Sequence, residues 1–132
     1  MRVFLDTNVL ASALATRGLC TDVLREVLAQ HVLLISNEVR AELARALLDK
    51  FGIPKRIAQE LDLFLEREAV TVPAAKPAGK GIRDEADRSI LGSALAGQAD
   101  LFITGDKELQ QVRRIASMRI VSPRQFWQLL RK

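Results

Sequence analysis

Arg2-Val3-Phe4-Leu5-Asp6 is the stretch that decides the fold. It is a short β-branched and aromatic run that ends on an acid, so it reads as a buried strand with a carboxylate at its carboxyl end. A second run repeats the form: Asp100-Leu101-Phe102-Ile103-Thr104 leads straight into Gly105-Asp106. Around these two the chain alternates. Helical spacing covers Val9–Ala15 and Thr21–Gln30, the second capped by Thr21 or Asp22. His31–Ser36 reads as a strand apolar on both faces. A helix starts at Ser36-Asn37-Glu38, carries Val39, Leu43, Ala46 and Leu47 as its stripe, and stops at Gly52-Ile53-Pro54. Pro54–Glu68 is a second amphipathic helix and Ala69–Val72 a short strand. Arg83–Gly97 and Lys107–Ala116 read as helices, Arg119–Val121 as a strand and Pro123–Leu130 as the last helix. Pro73–Gly81, rich in Pro, Gly and Lys, is a loop: either a plain connector or a mobile basic flap.

Five strands separated by helices imply an α/β fold, a parallel sheet covered on both faces by right-handed crossovers. In such sheets ligands bind beyond the carboxyl ends of the strands, where the strand order reverses. Asp6 and Asp106 stand there. Each could simply cap the helix that follows, but neighbouring strands bring both carboxylates to one pole. Glu42 lies near the apolar stripe of its helix and can project back over the strand ends. Asp84 and Asp87 share a helix face at i, i+3. Asp84 suits the cap, and Asp87 stands at the edge of the buried stripe. Glu38 and Glu85 read as solvated.

Composition removes most other chemistry. The 132 residues fit one domain of common size, and 48% apolar residues suffice for a core. One Cys and one His exclude a disulfide framework, a four-Cys zinc site and any His-rich metal site. Nucleophilic catalysis of the His-dependent kind would rest wholly on His31, which opens a strand and reads as structural. What remains plentiful is charge, 16 acids against 20 bases. The net charge of +4 suits a polyanion such as nucleic acid, or else plain solubility. The start carries no secretory pattern and no apolar run nears a membrane span, which points to the cytoplasm.

Three or four converging carboxylates would repel one another strongly, and they stay ionised together only around a cation. Oxygen ligands of this kind suit Mg²⁺ or Mn²⁺ rather than zinc. Such a site can activate water and steady a pentacovalent phosphate, so phosphodiester hydrolysis follows without His or Cys.

The motifs then point to a family. Val3-Phe4-Leu5-Asp6-Thr7-Asn8-Val9-Leu10 resembles the opening strand and turn of PIN-domain ribonucleases. Val39-Arg40-Ala41-Glu42-Leu43 is similar to their second acidic helix. Asp84-Glu85-Ala86-Asp87-Arg88-Ser89-Ile90-Leu91 and Ala99-Asp100-Leu101-Phe102-Ile103-Thr104-Gly105-Asp106-Lys107 resemble their third and fourth acidic segments. Each motif alone is weak, and the four in order are fairly specific. The likeness covers nearly the whole chain and is greatest to toxins of the VapC type.

The resemblance implies a single PIN-like domain over residues 1–132, three-layered α/β/α, with a central five-stranded parallel sheet of order 3-2-1-4-5. It implies an endoribonuclease dependent on Mg²⁺ or Mn²⁺, working as the toxin of a type II toxin–antitoxin pair. Asp6, Glu42, Asp87 and Asp106 would form the acidic quartet. Asp6, Asp87 and Asp106 would hold the metal, and Glu42 would hold or orient water there. The third acid is Asp84 or Asp87, and the apolar spacing after Asp87 matches the family helix better. Thr7, Asn8 and Thr104 would support the site, and Asp84 could add a carboxylate. An RNA substrate, an antitoxin protein and a homodimer are the implied partners.

Lys80 and Arg83, together with Lys76, Arg113 and Arg114, are candidates to follow an RNA backbone; a solvated surface is the ordinary alternative. Cys20 reads as a buried small side chain, and Trp127 as packing on the sheet or a subunit contact. Two rival functions remain. One is a PIN-like module that binds RNA or protein without cutting. The other is a phosphatase resembling haloacid dehalogenases, weakened by Asn8 and Gln110, which stand where that family has acids.

Overall fold

The computed structural model describes residues 1–131. Six strands form one sheet: β1 (Arg2–Leu5), β2 (Val32–Ser36), β3 (Val70–Val72), β4 (Leu101–Ile103), β5 (Arg114–Ile115) and β6 (Met118–Val121), in the order β3-β2-β1-β4-β6-β5. The first four and β6 run parallel, in the order expected for five strands. Seven helices join them: α1 (Thr7–Ala15), α2 (Leu19–Gln30), α3 (Asn37–Asp49), α4 (Lys55–Glu68), α5 (Glu85–Ala96), α6 (Lys107–Val112) and α7 (Pro123–Leu130).

The expectation of a five-stranded, wholly parallel sheet needs correction. The expected helix over Lys107–Ala116 ends at Val112, because Arg113 turns to φ +68° and cannot continue an α-helix. Arg114 and Ile115 then pair antiparallel with Arg119 and Met118, with Ala116 at φ +53° in the turn between them. Neither residue is a glycine, so the reversal leaves no glycine signal in the sequence. A smaller correction concerns α2. It starts at Leu19 behind Gly18, and Thr21 is not its cap: its hydroxyl donates to the carbonyls of Ala13 and Thr16, tying down the end of α1.

Handedness explains the layers. The chain steps outward from β1 through β2 to β3, so right-handed crossovers put α1 to α4 on one face. There α1 touches α2 and α3, and α3 touches α4. The return across the sheet to β4 puts α5 on the other face, against β2 and β3. The interiors of β1, β2 and β4 are buried, and Phe4 stacks on Phe102 across β1 and β4 with ring centroids 5.3 Å apart. Arg40 clamps α3 to α4 through a two-pronged contact with Asp62 at 2.9 and 2.8 Å and a further bond to Glu66.

The Pro73–Gly81 stretch behaves as a packed connector. Ile82 just beyond it is buried, the Ala78 amide donates to the Arg88 carbonyl at 2.9 Å, and the Lys76 carbonyl lies directly over Gly92 of α5.

Candidate active site

The order reverses between β1 and β4, and the strands end there on Asp6 and Thr104. Asp6 caps α1. Its backbone remains in the sheet, the amide donating to the Ile103 carbonyl at 2.9 Å. Its side chain is only 8% exposed and is held from two sides. Oδ1 accepts the Thr7 amide at 2.9 Å, and Oδ2 accepts the Thr104 hydroxyl at 2.7 Å. Thr104 is itself fully buried, and its hydroxyl oxygen accepts the Asp106 amide at 3.0 Å. One hydroxyl therefore couples the acids that end β1 and follow β4.

The other acids gather round this pair. Glu42 reaches back from α3, and its Oε1 accepts the Thr7 hydroxyl at 2.7 Å. Asp106 is exposed and caps α6, its Oδ1 accepting the Glu108 amide at 2.8 Å. Asp84 caps α5 by accepting the Asp87 amide at 3.0 Å, which leaves the half-buried Asp87 carboxylate uncommitted by any described hydrogen bond.

Electrostatics show that these groups share one field. Burial pushes the Asp87 carboxyl up to about 6, and the nearby charges of Asp84, Asp6, Asp106 and Glu42 push the same way. Asp6 is also raised, mainly by burial and further by Glu42 and Asp106, against the opposing pull of its bonds to Thr104 and Thr7. Acids raised by one another bind either protons or a cation. The donors are all carboxylate oxygens, those of Asp6 and Glu42 steadied by threonine hydroxyls, and carboxylates are what a hard divalent ion takes. Among the described residues, no three acid, His or Cys side chains stand close enough to enclose an ion as they are.

Other expected residues fall elsewhere. Asn8 is exposed, and none of the described hydrogen bonds uses its side chain. Lys80 and Arg83 are exposed on the segment that leads into Asp84. His31 lies at the opposite end of the strands, 3.1 Å from the terminal amine and edge-on to Phe126, away from all four acids. Its pKa is lowered by burial and by the amine. Cys20 is half-buried rather than fully enclosed. Glu38 is not simply solvated, since it accepts the Ser89 hydroxyl at 2.8 Å. Sequence reasoning missed Gln110 as a site residue. Its amide donates to the Thr104 carbonyl at 2.8 Å, so it braces the residue that braces Asp6. Its position four residues after Asp106, on the first turns of α6, was the available signal.

Comparison with known proteins agrees with this fold. A protein-family description, the PIN domain, matches residues 2–108. VapBC2 from Rickettsia felis, solved bound to a DNA fragment from its promoter, shares the fold at TM-score 0.66 and 22% identity, over 92% of this chain and 98% of that one. The PIN domain endonuclease Utp24 is 28% identical, with TM-score 0.53, over 92% and 84% of the two chains. FitAcB from Neisseria gonorrhoeae has TM-score 0.58 and 20% identity over 92% and 97%. No curated protein matches.

Proposed function

This chain belongs to the PIN domain family, and from that premise we propose that it is a metal-dependent endoribonuclease, the toxin of a type II toxin–antitoxin pair. The observation that carries the reading is the buried Asp6 at the switch point, braced by Thr104 and surrounded by Glu42, Asp87 and Asp106. The likeness to the endonuclease Utp24 supports the nuclease chemistry. The fold shared with VapBC2 and FitAcB supports an antitoxin partner. The proposal includes a homodimer that works in the cytoplasm.

Each site residue has a task. Asp6 is the fixed point, because both of its oxygens are oriented by protein donors, and a carboxylate oxygen that accepts one bond has a further lone pair to offer. Asp6, Asp87 and Asp106 would hold Mg²⁺ or Mn²⁺. When bound, the ion supplies positive charge and Lewis acidity toward a phosphate oxygen. Glu42, steadied by Thr7, orients water for attack and accepts a proton from it. Asp84 sets the turn that presents Asp87.

The test is incubation of the purified protein with structured and unstructured RNAs, with and without Mg²⁺ or Mn²⁺. Cleavage should need the divalent ion, stop with EDTA, and fall about 100-fold or more in Asp6→Asn with the fold retained. Cleavage that survives both EDTA and Asp6→Asn would falsify the proposal. Metal-indifferent RNA binding without products would make the chain a binding module instead.

A further inference from the structure

Beside the acidic site, α6, β6 and α7 enclose an open groove of about 710 Å³. Lys107, Arg113, Arg114 and Arg119 line it, and no acid does. All four cations are exposed, and among the described residues none forms an ion pair. The groove starts where the acids end: Asp106 caps α6, and Lys107 is the next residue. Gln110 on its wall is the same residue that holds the Thr104 carbonyl.

Two locally unfavourable features build this groove. Arg114 and Arg119 are direct partners in the antiparallel β5–β6 ladder, and like charges opposite one another in a sheet repel. Arg113 holds φ +68°, a conformation that side-chain-bearing residues avoid, while its carbonyl accepts the Ile120 amide at 2.8 Å. Both features concentrate positive charge on one wall, and an anion lying against it relieves the repulsion between Arg114 and Arg119. A chain of regularly spaced anions is the ligand this arrangement suits: Lys107 adjoins Asp106, while Arg114 and Arg119 lie level with Leu101 at the start of β4, further from the carboxyl ends of the strands.

We propose that this groove is the track for the sugar–phosphate backbone of a single-stranded nucleic acid whose scissile phosphate lies at the acidic site. The direction of the track rests on the nuclease reading, while the binding itself does not. Phosphates beyond the scissile one pass Lys107 and lie against Arg113, Arg114 and Arg119. Apart from Lys107, the residues that line the groove lie beyond residue 108, outside the matched family region.

The experiment is fluorescence anisotropy with a labelled 12-nucleotide RNA in EDTA, over a series of salt concentrations. Arg113→Gln/Arg119→Gln should bind about 10-fold more weakly at low salt, and its log–log salt slope should shrink by roughly 1.4, since each phosphate contact on a single strand contributes about 0.7. Lys107→Gln/Arg114→Gln should behave alike. Arg56→Gln/Arg67→Gln on α4 makes the same change in net charge and should bind within about twofold of the parent. Equal binding by the groove and α4 variants, with unchanged slopes, overturns the proposal. So does polyglutamate bound as tightly as RNA through the same arginines, which would make the groove a seat for acidic protein. RNA held by these arginines but never cut with Mg²⁺ or Mn²⁺ leaves the groove standing and removes the nuclease reading. Cleavage with KM unaltered in both groove variants does the reverse.

Discussion

At the scale of the residue, Thr104 matters as much as the acids it serves. Its buried hydroxyl donates to the buried Asp6 and accepts from the amide of Asp106 at the surface. Thr104→Val keeps the shape and removes both bonds. Leaving buried partners unmatched costs about 1–3 kcal/mol, read as a lowered melting temperature. The same bond pulls the Asp6 pKa down, so its loss should push that carboxyl higher still, visible by NMR titration. Thr104→Ser should recover both. An Asp6 titration that does not move in Thr104→Val would show that the hydroxyl does not govern this carboxylate. Local pattern made Asp6, Thr104 and Asp106 legible, because an acid or a hydroxyl at a strand's carboxyl end has its position set by the strand itself. Gln110 was not legible as a brace, since its partner is a backbone carbonyl, which carries no sequence signal.

At the scale of the element, α5 and the connector before it are fitted together at Gly92. A glycine inside a helix is ordinarily a weakness, and replacing it by Ala adds about 1 kcal/mol of stability. Here a Cβ would run into the Lys76 carbonyl, a backbone atom with no rotamer to yield. Gly92→Ala should therefore destabilise, by about 1–3 kcal/mol in denaturant unfolding, as overpacking does. A gain in stability would mean that the connector is free to move away from the helix. Since the connector leads into Asp84 and Asp87, the same variant should weaken divalent-ion binding. The parallel strands were readable from hydrophobic runs between helices. Strand β5 was not, because two residues hold no period and its turns use Arg113 and Ala116 rather than glycine.

At the scale of the whole molecule, charge is divided rather than averaged. Setting the quartet aside leaves 12 of the 16 acids against 20 bases, and part of that excess lines the groove. The clustered acids also set a pH dependence. Asp87 sits near 6 in the folded protein against an ordinary value of 3.8, and Asp6 is shifted in the same direction. The folded state thus holds these protons more tightly than the unfolded chain. Their contribution to stability is greatest below about pH 4 and is lost as pH rises towards 6. Metal-free wild type should lose stability over that window relative to Asp87→Asn, which cannot lose that proton. At pH 7.5, Mg²⁺ or Mn²⁺ should raise the melting temperature of wild type and do so less for Asp87→Asn. Parallel pH profiles for the two proteins would refute the shared field.

By itself the sequence determined the chemistry on offer: with one His, one Cys and no Tyr, carboxylates are what the chain has to work with. It also determined the parallel strands and the acids at their ends, because strand and cap preferences act over a few neighbouring residues. Only the tertiary structure decided which of those acids share a field, that Asp84 caps while Asp87 stays uncommitted, and that Arg114 faces Arg119. Those are relations between residues far apart in the chain or turned by backbone angles. They follow from crossover handedness, sheet register and the left-handed turn at Arg113, none of which a local pattern of residue types encodes.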